Sequence, residues 1–173
     1  MSVLSGIKSY LYNRKFNQIP DRRKIEGRIN PSGRIGILYQ VTTREHLEVL
    51  RHFKQWLIDR DKEVEIILFS PKLPDFEVPE DVYLLVREDL TWYLTPKEAI
   101  IEALPRLKFD ILLNFNRQQV KPLHFLTALS TADLKLGFYP TDQKVFDILI
   151  DVPFHTLKQD ISSVKETIQL ISV

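Results

Sequence analysis

One stretch, residues 109–138 (FDILLNFNRQQVKPLHFLTALSTADLKLGF), constrains the fold more than any other. Residues 109–115 form a mainly apolar run without Gly or Pro, too short for a free-standing helix. Such a run suits a strand covered on both faces, as in a parallel sheet. Polarity then changes abruptly at Asn114, Asn116, Arg117, Gln118 and Gln119. Pro122 fits the first turn of a helix, where its missing N–H costs nothing. Leu123, Leu126, Ala128 and Leu129 continue at helical spacing as far as Ser130 and Thr131. Residues 134–138 are the next strand, and Gly137 within it allows close backbone approach. Strand, helix and strand in this order predict a right-handed crossover unit. Its polar turn lies at the carboxyl edge of the sheet, where open α/β folds bind ligands.

The remaining chain repeats the alternation. Residues 34–41 (RIGILYQV) read as the first core strand, central and next to 109–115. Thr42 is the expected N-cap of the following helix, with Glu45 completing a capping box. That helix runs to about Arg60 and buries Leu47, Leu50, Phe53, Trp56 and Leu57. Residues 63–70 are the second strand, the prolines 71, 74 and 79 enforce a loop, and 82–86 form a short third strand at an edge. Thr95-Pro96-Lys97-Glu98 carries the signature of a helix start. After the central unit, 146–152 form a last strand, and Leu157, Ile161, Val164, Ile168 and Ile171 mark an amphipathic C-terminal helix. The expectation is a three-layer, Rossmann-like α/β sandwich with a mainly parallel sheet, occupying residues 34–173. Residues 1–33 form a basic N-terminal helix and linker.

Charge separates those two parts. Residues 1–34 hold eight basic and two acidic residues, while the other 139 hold sixteen basic and twenty-one acidic. The basic residues Arg14, Lys15, Arg22, Arg23, Lys24 and Arg28 therefore form a candidate surface for an anionic partner: RNA, an acidic membrane surface or a protein. Solvated charge is the plain alternative. In residues 2–14, Val3, Leu4, Ile7, Tyr10 and Leu11 fall on one face. That face suits a membrane interface or packing across the edge of the chain's own sheet.

The chemistry open to such a chain is bounded. It has no cysteine, which excludes disulfides, thiolate metal sites and cysteine nucleophiles. No apolar run approaches the ~20 residues that span a bilayer, and the N-terminus lacks the apolar core of a secretory signal. A cytoplasmic, non-transmembrane protein is expected. Its five glycines all fall outside the strand-to-helix turns, so no glycine cradle for a nucleotide or nicotinamide is expected, and no cofactor. Glu48 and His52, four apart on a helix, have a metal-ligand spacing but match an exposed helical pair as well; no metal site is expected. The candidate ligand-binding residues are Asn114, Asn116, Arg117, His124 and Asp151. The first four gather at the central turn, and Asp151 closes the last strand. His124 can act as a base or hold an anion, or simply be a helix-surface histidine. Asp151 can equally cap the turn around Pro153. No catalytic residue is identifiable, and no serine sits in a nucleophile elbow.

Residues 109–139 resemble the amino-terminal domain of the ADP-heptose-type heptosyltransferases, through Asp110, Leu112, Asn114, Ala132, Gly137 and Phe138. The resemblance implies a Rossmann-like fold. It does not extend to the catalytic loop: Thr42-Thr43 stand where that family has Gly-Asp, and 173 residues leave no space for its nucleotide-sugar domain. The whole layout, with its basic N-terminal arm and the Pro122-Leu123-His124 helix start, is also similar to an uncharacterised family of short bacterial proteins. Two functions follow as expectations. One is a non-catalytic docking module using its basic arm. The other is a small ligand-binding protein or transferase-like enzyme with its site at the carboxyl edge. Trp92 and Tyr93 additionally suggest a homodimer contact.

Overall fold

In a computed structural model, residues 3–20, 33–104, 107–141, 144–153 and 156–171 are described. Their strands are β1 (Arg34–Gln40), β2 (Glu63–Phe69), β3 (Val82–Leu85), β4 (Ile111–Asn114), β5 (Leu134–Phe138) and β6 (Ile148–Ile150). The helices are α1 (Val3–Phe16), α2 (Arg44–Ile58), α3 (Glu98–Ala103), α4 (Lys121–Leu129) and α5 (Leu157–Ile171). A 3-10 turn covers Arg87–Asp89.

All six strands are parallel, in the order β3-β2-β1-β4-β5-β6. β1 is central and pairs with β2 on one side and β4 on the other, and β3 is an edge. The sheet is three-layered because alternate side chains leave each strand on opposite faces. Ile35, Ile37, Ile66, Leu68, Leu113 and Leu136 meet α2 and α5 in one core. Leu38, Ile67, Phe69 and Leu112 meet Leu123 and Leu126 of α4 in the other. Burying each such side chain contributes about 1.5–3 kcal/mol. The expected α/β Rossmann-like sandwich with a parallel sheet is therefore the fold.

Two glycines permit this packing. A Cβ on Gly36 would lie 2.7 Å from Leu112 and 2.9 Å from Phe109, and one on Gly137 would lie 2.7 Å from the Phe146 ring.

Local boundaries differ from expectation at two helix starts. Thr43, not Thr42, caps α2: its hydroxyl accepts from the His46 N–H at 3.3 Å. The Thr95-Pro96 signature does not open α3, which begins at Glu98 behind the N-cap Lys97. Thr95 is buried, and its backbone and hydroxyl are bound to Thr91 instead. Leu94 at φ 73° closes that tight loop. The local cap competed with a turn and lost.

The larger correction concerns α1. It lies on α4, but not through the expected face. Tyr12, 2% exposed, sits against Phe125 and Phe16, and its hydroxyl donates to the Lys121 carbonyl at 3.0 Å. Phe16 stacks on the His124 ring at 4.8 Å between centroids. Leu4, Ile7 and Tyr10, the face that suited either a membrane interface or packing across the sheet edge, are exposed at 61%, 45% and 64%. At ~100° per residue, the two apolar groups lie on opposite sides of the helix. An apolar side chain near the C-terminal end of the segment, outside the expected face, made the contact. Arg22, Arg23, Lys24 and Arg28 lie outside the described residues.

Candidate functional site

The strand order reverses direction at β1. Chain from β1 passes to β2 on one side, whereas β4 and β5 follow on the other. Parallel strands put every helix start at the same edge of the sheet, so the loops after β1 and β4 diverge there and leave a crevice. A cleft of 680 Å³ occupies this position. Tyr39 and Gln40 reach it from the end of β1, and His46 from the first turn of α2. Phe115, Asn116, Arg117 and Gln118 form the loop side, and Thr156, Leu157 and Asp160 bring the start of α5. A second cavity of 500 Å³ adjoins it, lined by Arg117, Tyr139, Pro140, Asp151, Val152 and Pro153. Arg117 and Pro140 belong to both walls. Volumes of about 300–1,000 Å³ are those of small-molecule sites.

Buried amides fix the floor of the cleft. The Asn116 side-chain amide nitrogen donates to Asn114 Oδ1 at 2.7 Å and to the Leu38 carbonyl at 3.4 Å. Its Oδ1 accepts from the Gln40 N–H at 2.9 Å. Asn114 in turn donates to Thr127 Oγ1 at 2.9 Å, and Thr127 donates to the Leu123 carbonyl. One continuous chain of hydrogen bonds therefore runs from β1 through the β4 loop into α4. It satisfies backbone groups that the diverging loops would otherwise leave unpaired.

Arg117 fixes the wall. Its guanidinium donates to both carboxylate oxygens of Asp160, from Nε at 3.2 Å and from Nη2 at 2.5 Å. Nη1 donates to the Val152 carbonyl at 3.1 Å, and the cation lies 4.9 Å from the Phe138 ring centroid. The planar fork of arginine suits this bidentate pairing. Asp160 is buried in the first turn of α5, where the helix dipole favours an anion.

Tyr39 and His46 face each other across the mouth. The Tyr39 hydroxyl lies 3.3 Å from His46 Nδ1, and Thr42 Oγ1 lies 3.4 Å from the same nitrogen. Burial, helped by the nearby Asp160 carboxylate, raises the Tyr39 pKa above its usual value. The phenol stays neutral at pH 7 and available as a donor. A phenol beside an imidazole can bind a polar ligand or exchange a proton with it.

Of the residues singled out in the sequence, Asn116 and Arg117 line the larger cleft, and Arg117 and Asp151 line the smaller. Asn114 is buried beneath them, and His124 is turned towards α1 under Phe16. Arg14 and Lys15 are exposed in the last turn of α1, where a separate 260 Å³ hollow is lined by Leu11, Arg14, Lys15, Gln18 and Tyr93. Sequence reasoning missed Tyr39, Gln40, His46, Thr156 and Asp160. The end of the central strand was a usable signal for the first two, and an acidic residue in a first helical turn for the last. Glu48 is 3.7 Å from Arg44 and 3.8 Å from Arg51, in helical ion pairs. Among the described residues no helix is long and apolar enough to cross a membrane.

Residues 7–171 match the profile of a family of unknown function, DUF6913, and the chain belongs to that family. No curated protein and no solved structure matches it.

Proposed function

We propose that this member of DUF6913 binds a small polar ligand in the crevice where its sheet changes direction. The observation that carries the reading is the 680 Å³ cleft at that crevice, with Tyr39, Gln40, His46, Gln118 and the Arg117–Asp160 pair around aromatic Phe115. Donors and acceptors there are mixed, and Arg117 is already neutralised by Asp160. That balance suits a ligand bearing several hydroxyl or amide groups better than a bare polyanion. The turn after β1 is Val41-Thr42-Thr43. It contains no glycine, the residue with which a dinucleotide fold brings bare backbone up to phosphate. Asp151, in the adjoining cavity, would contact a ligand long enough to pass Arg117. Thermal-shift screening against sugars, sugar phosphates and nucleotides tests the reading. A stabilising ligand should lose most of its effect on His46→Gln and Gln118→Ala, both substitutions at the cleft wall. Stabilisation undiminished in both would contradict it.

A second reading, docking of the basic N-terminal segment on an anionic partner, is favoured by one observation. The outward side of α1 leaves Leu4, Ile7 and Tyr10 exposed beside Arg14 and Lys15. The two readings use different residues and do not compete. Loss of anion binding on Arg14→Glu/Lys15→Glu, with cleft binding retained, is the expected result. Anion binding unchanged in that variant and unaffected by added salt would sink the second reading.

A further inference from the structure

We propose that the outward side of α1 is a docking surface for an anionic lipid bilayer; this rests on the docking reading above and names its partner. A helix in a folded protein usually turns its apolar side chains inward. α1 has two apolar sides. Tyr12 and Phe16 are used against α4, through Phe125, His124 and the Lys121 carbonyl. With that contact made, Leu4, Ile7 and Tyr10 still point to solvent, and Leu11 is only half-buried. Their spacing aligns them along one side of the helix.

The surroundings match an interfacial helix. Lys8 borders the apolar stripe, and Arg14 and Lys15 close its C-terminal end. The hollow between Leu11, Arg14, Lys15 and Tyr93 joins the helix to the aromatic pair Trp92–Tyr93, whose rings are 5.8 Å apart. Trp92 is 47% exposed. Aliphatic side chains between cations, with tryptophan and tyrosine at hand, suit a boundary of acyl chains and negative headgroups. Single-stranded RNA would use the cations and aromatic rings but gain little from Leu4 and Ile7. α1 carries Lys8, Arg14 and Lys15 and no acidic residue, a charge complementary to such a surface.

Vesicle co-sedimentation of the full chain tests this. The probes are phosphatidylcholine vesicles, phosphatidylcholine–phosphatidylglycerol vesicles at roughly 2:1, and a single-stranded RNA oligonucleotide. The expected result is binding to the anionic vesicles, at least about tenfold weaker for the neutral ones. Leu4→Ser/Ile7→Ser/Tyr10→Ser, which changes only exposed positions, should weaken anionic-vesicle binding by about tenfold or more. Leu170→Ser, at a still more exposed position on α5, is the control and should bind as the parent does. Binding to anionic vesicles that the triple substitution leaves unchanged would overturn the proposal, because charge alone would then suffice. RNA binding without vesicle binding would overturn it while leaving the docking reading standing. Binding to none of the probes would overturn both.

Discussion

Replacing Asn116 with aspartate removes two hydrogens and should cost stability in a pH-dependent way. The side chain is 7% exposed, and its amide nitrogen sits 2.7 Å from Asn114 Oδ1. In Asn116→Asp an oxygen meets that oxygen. The other oxygen can still accept from the Gln40 N–H, now at 2.9 Å. Loss of the bond to Asn114 Oδ1 and of the longer one to the Leu38 carbonyl costs about 1 kcal/mol, and a buried carboxylate with one good donor adds roughly 1–3 kcal/mol more. The total deficit should be about 2–4 kcal/mol at neutral pH. Burial and the facing oxygen both disfavour the ionised form, so the introduced carboxyl has a folded pKa above its unfolded value of ~3.9. A group of that kind contributes fully below the unfolded pKa and loses its contribution as pH rises through the folded one. The deficit should therefore be small near pH 4, where the protonated carboxyl donates to Asn114 Oδ1, and complete by about pH 7. Urea unfolding of both proteins at matched pH values measures it. Asn116→Ala should instead show a pH-independent loss of about 1–3 kcal/mol from the stranded Gln40 N–H. An aspartate variant within ~0.5 kcal/mol of the parent at pH 7.5, or one whose deficit ignores pH, would refute the role given to this buried chain of amides.

The Arg117–Asp160 pair should behave as a buried ion pair: Arg117→Met and Asp160→Leu should each cost about 3–5 kcal/mol in urea unfolding, and the double variant clearly less than their sum. The Tyr39 phenol should ionise at higher pH than an ordinary tyrosine, because burial and then Asp160 raise its pKa. By the sign of that shift its contribution to stability is intact below about pH 10 and is lost as pH rises further. Stability against pH should accordingly fall less steeply above that point in Tyr39→Phe than in the parent. Tyr12→Ala should release α1 from α4, removing the ring contacts and the bond to the Lys121 carbonyl. Limited trypsin cleavage at Arg14 and Lys15 should then speed up several-fold, with the sheet still folded by circular dichroism.

The sheet was legible because its strands are buried on both faces and so stand out as apolar runs, β4 and β5 above all. The central place of β1, its pairing with β4 and the edge position of β3 all followed from that pattern. The carboxyl-edge turn was legible too, since an abrupt change from Leu113 to Asn116 and Arg117 is visible in the chain. What was hidden is tertiary. Asp160 reads as an ordinary first-turn acid until α5 brings it against Arg117. His46 reads as one of four scattered histidines until Tyr39 is seen 3.3 Å away. The orientation of α1 was hidden for another reason. Periodicity picked out the side with Leu4, Ile7 and Tyr10, but Tyr12 and Phe16 on the other side fit α4, where the Lys121 carbonyl accepts from Tyr12.

The most direct measurement is an amide-resolved NMR titration of the uniformly labelled chain with the ligand that stabilises it most against heat. Shifts concentrated on Gln40, His46, Gln118 and the start of α5 are the predicted result. Shifts gathered instead at the opposite edge of the sheet, around Arg34, Glu63 and Asp110, would contradict the account, as would a titration in which no compound moves the cleft resonances at all.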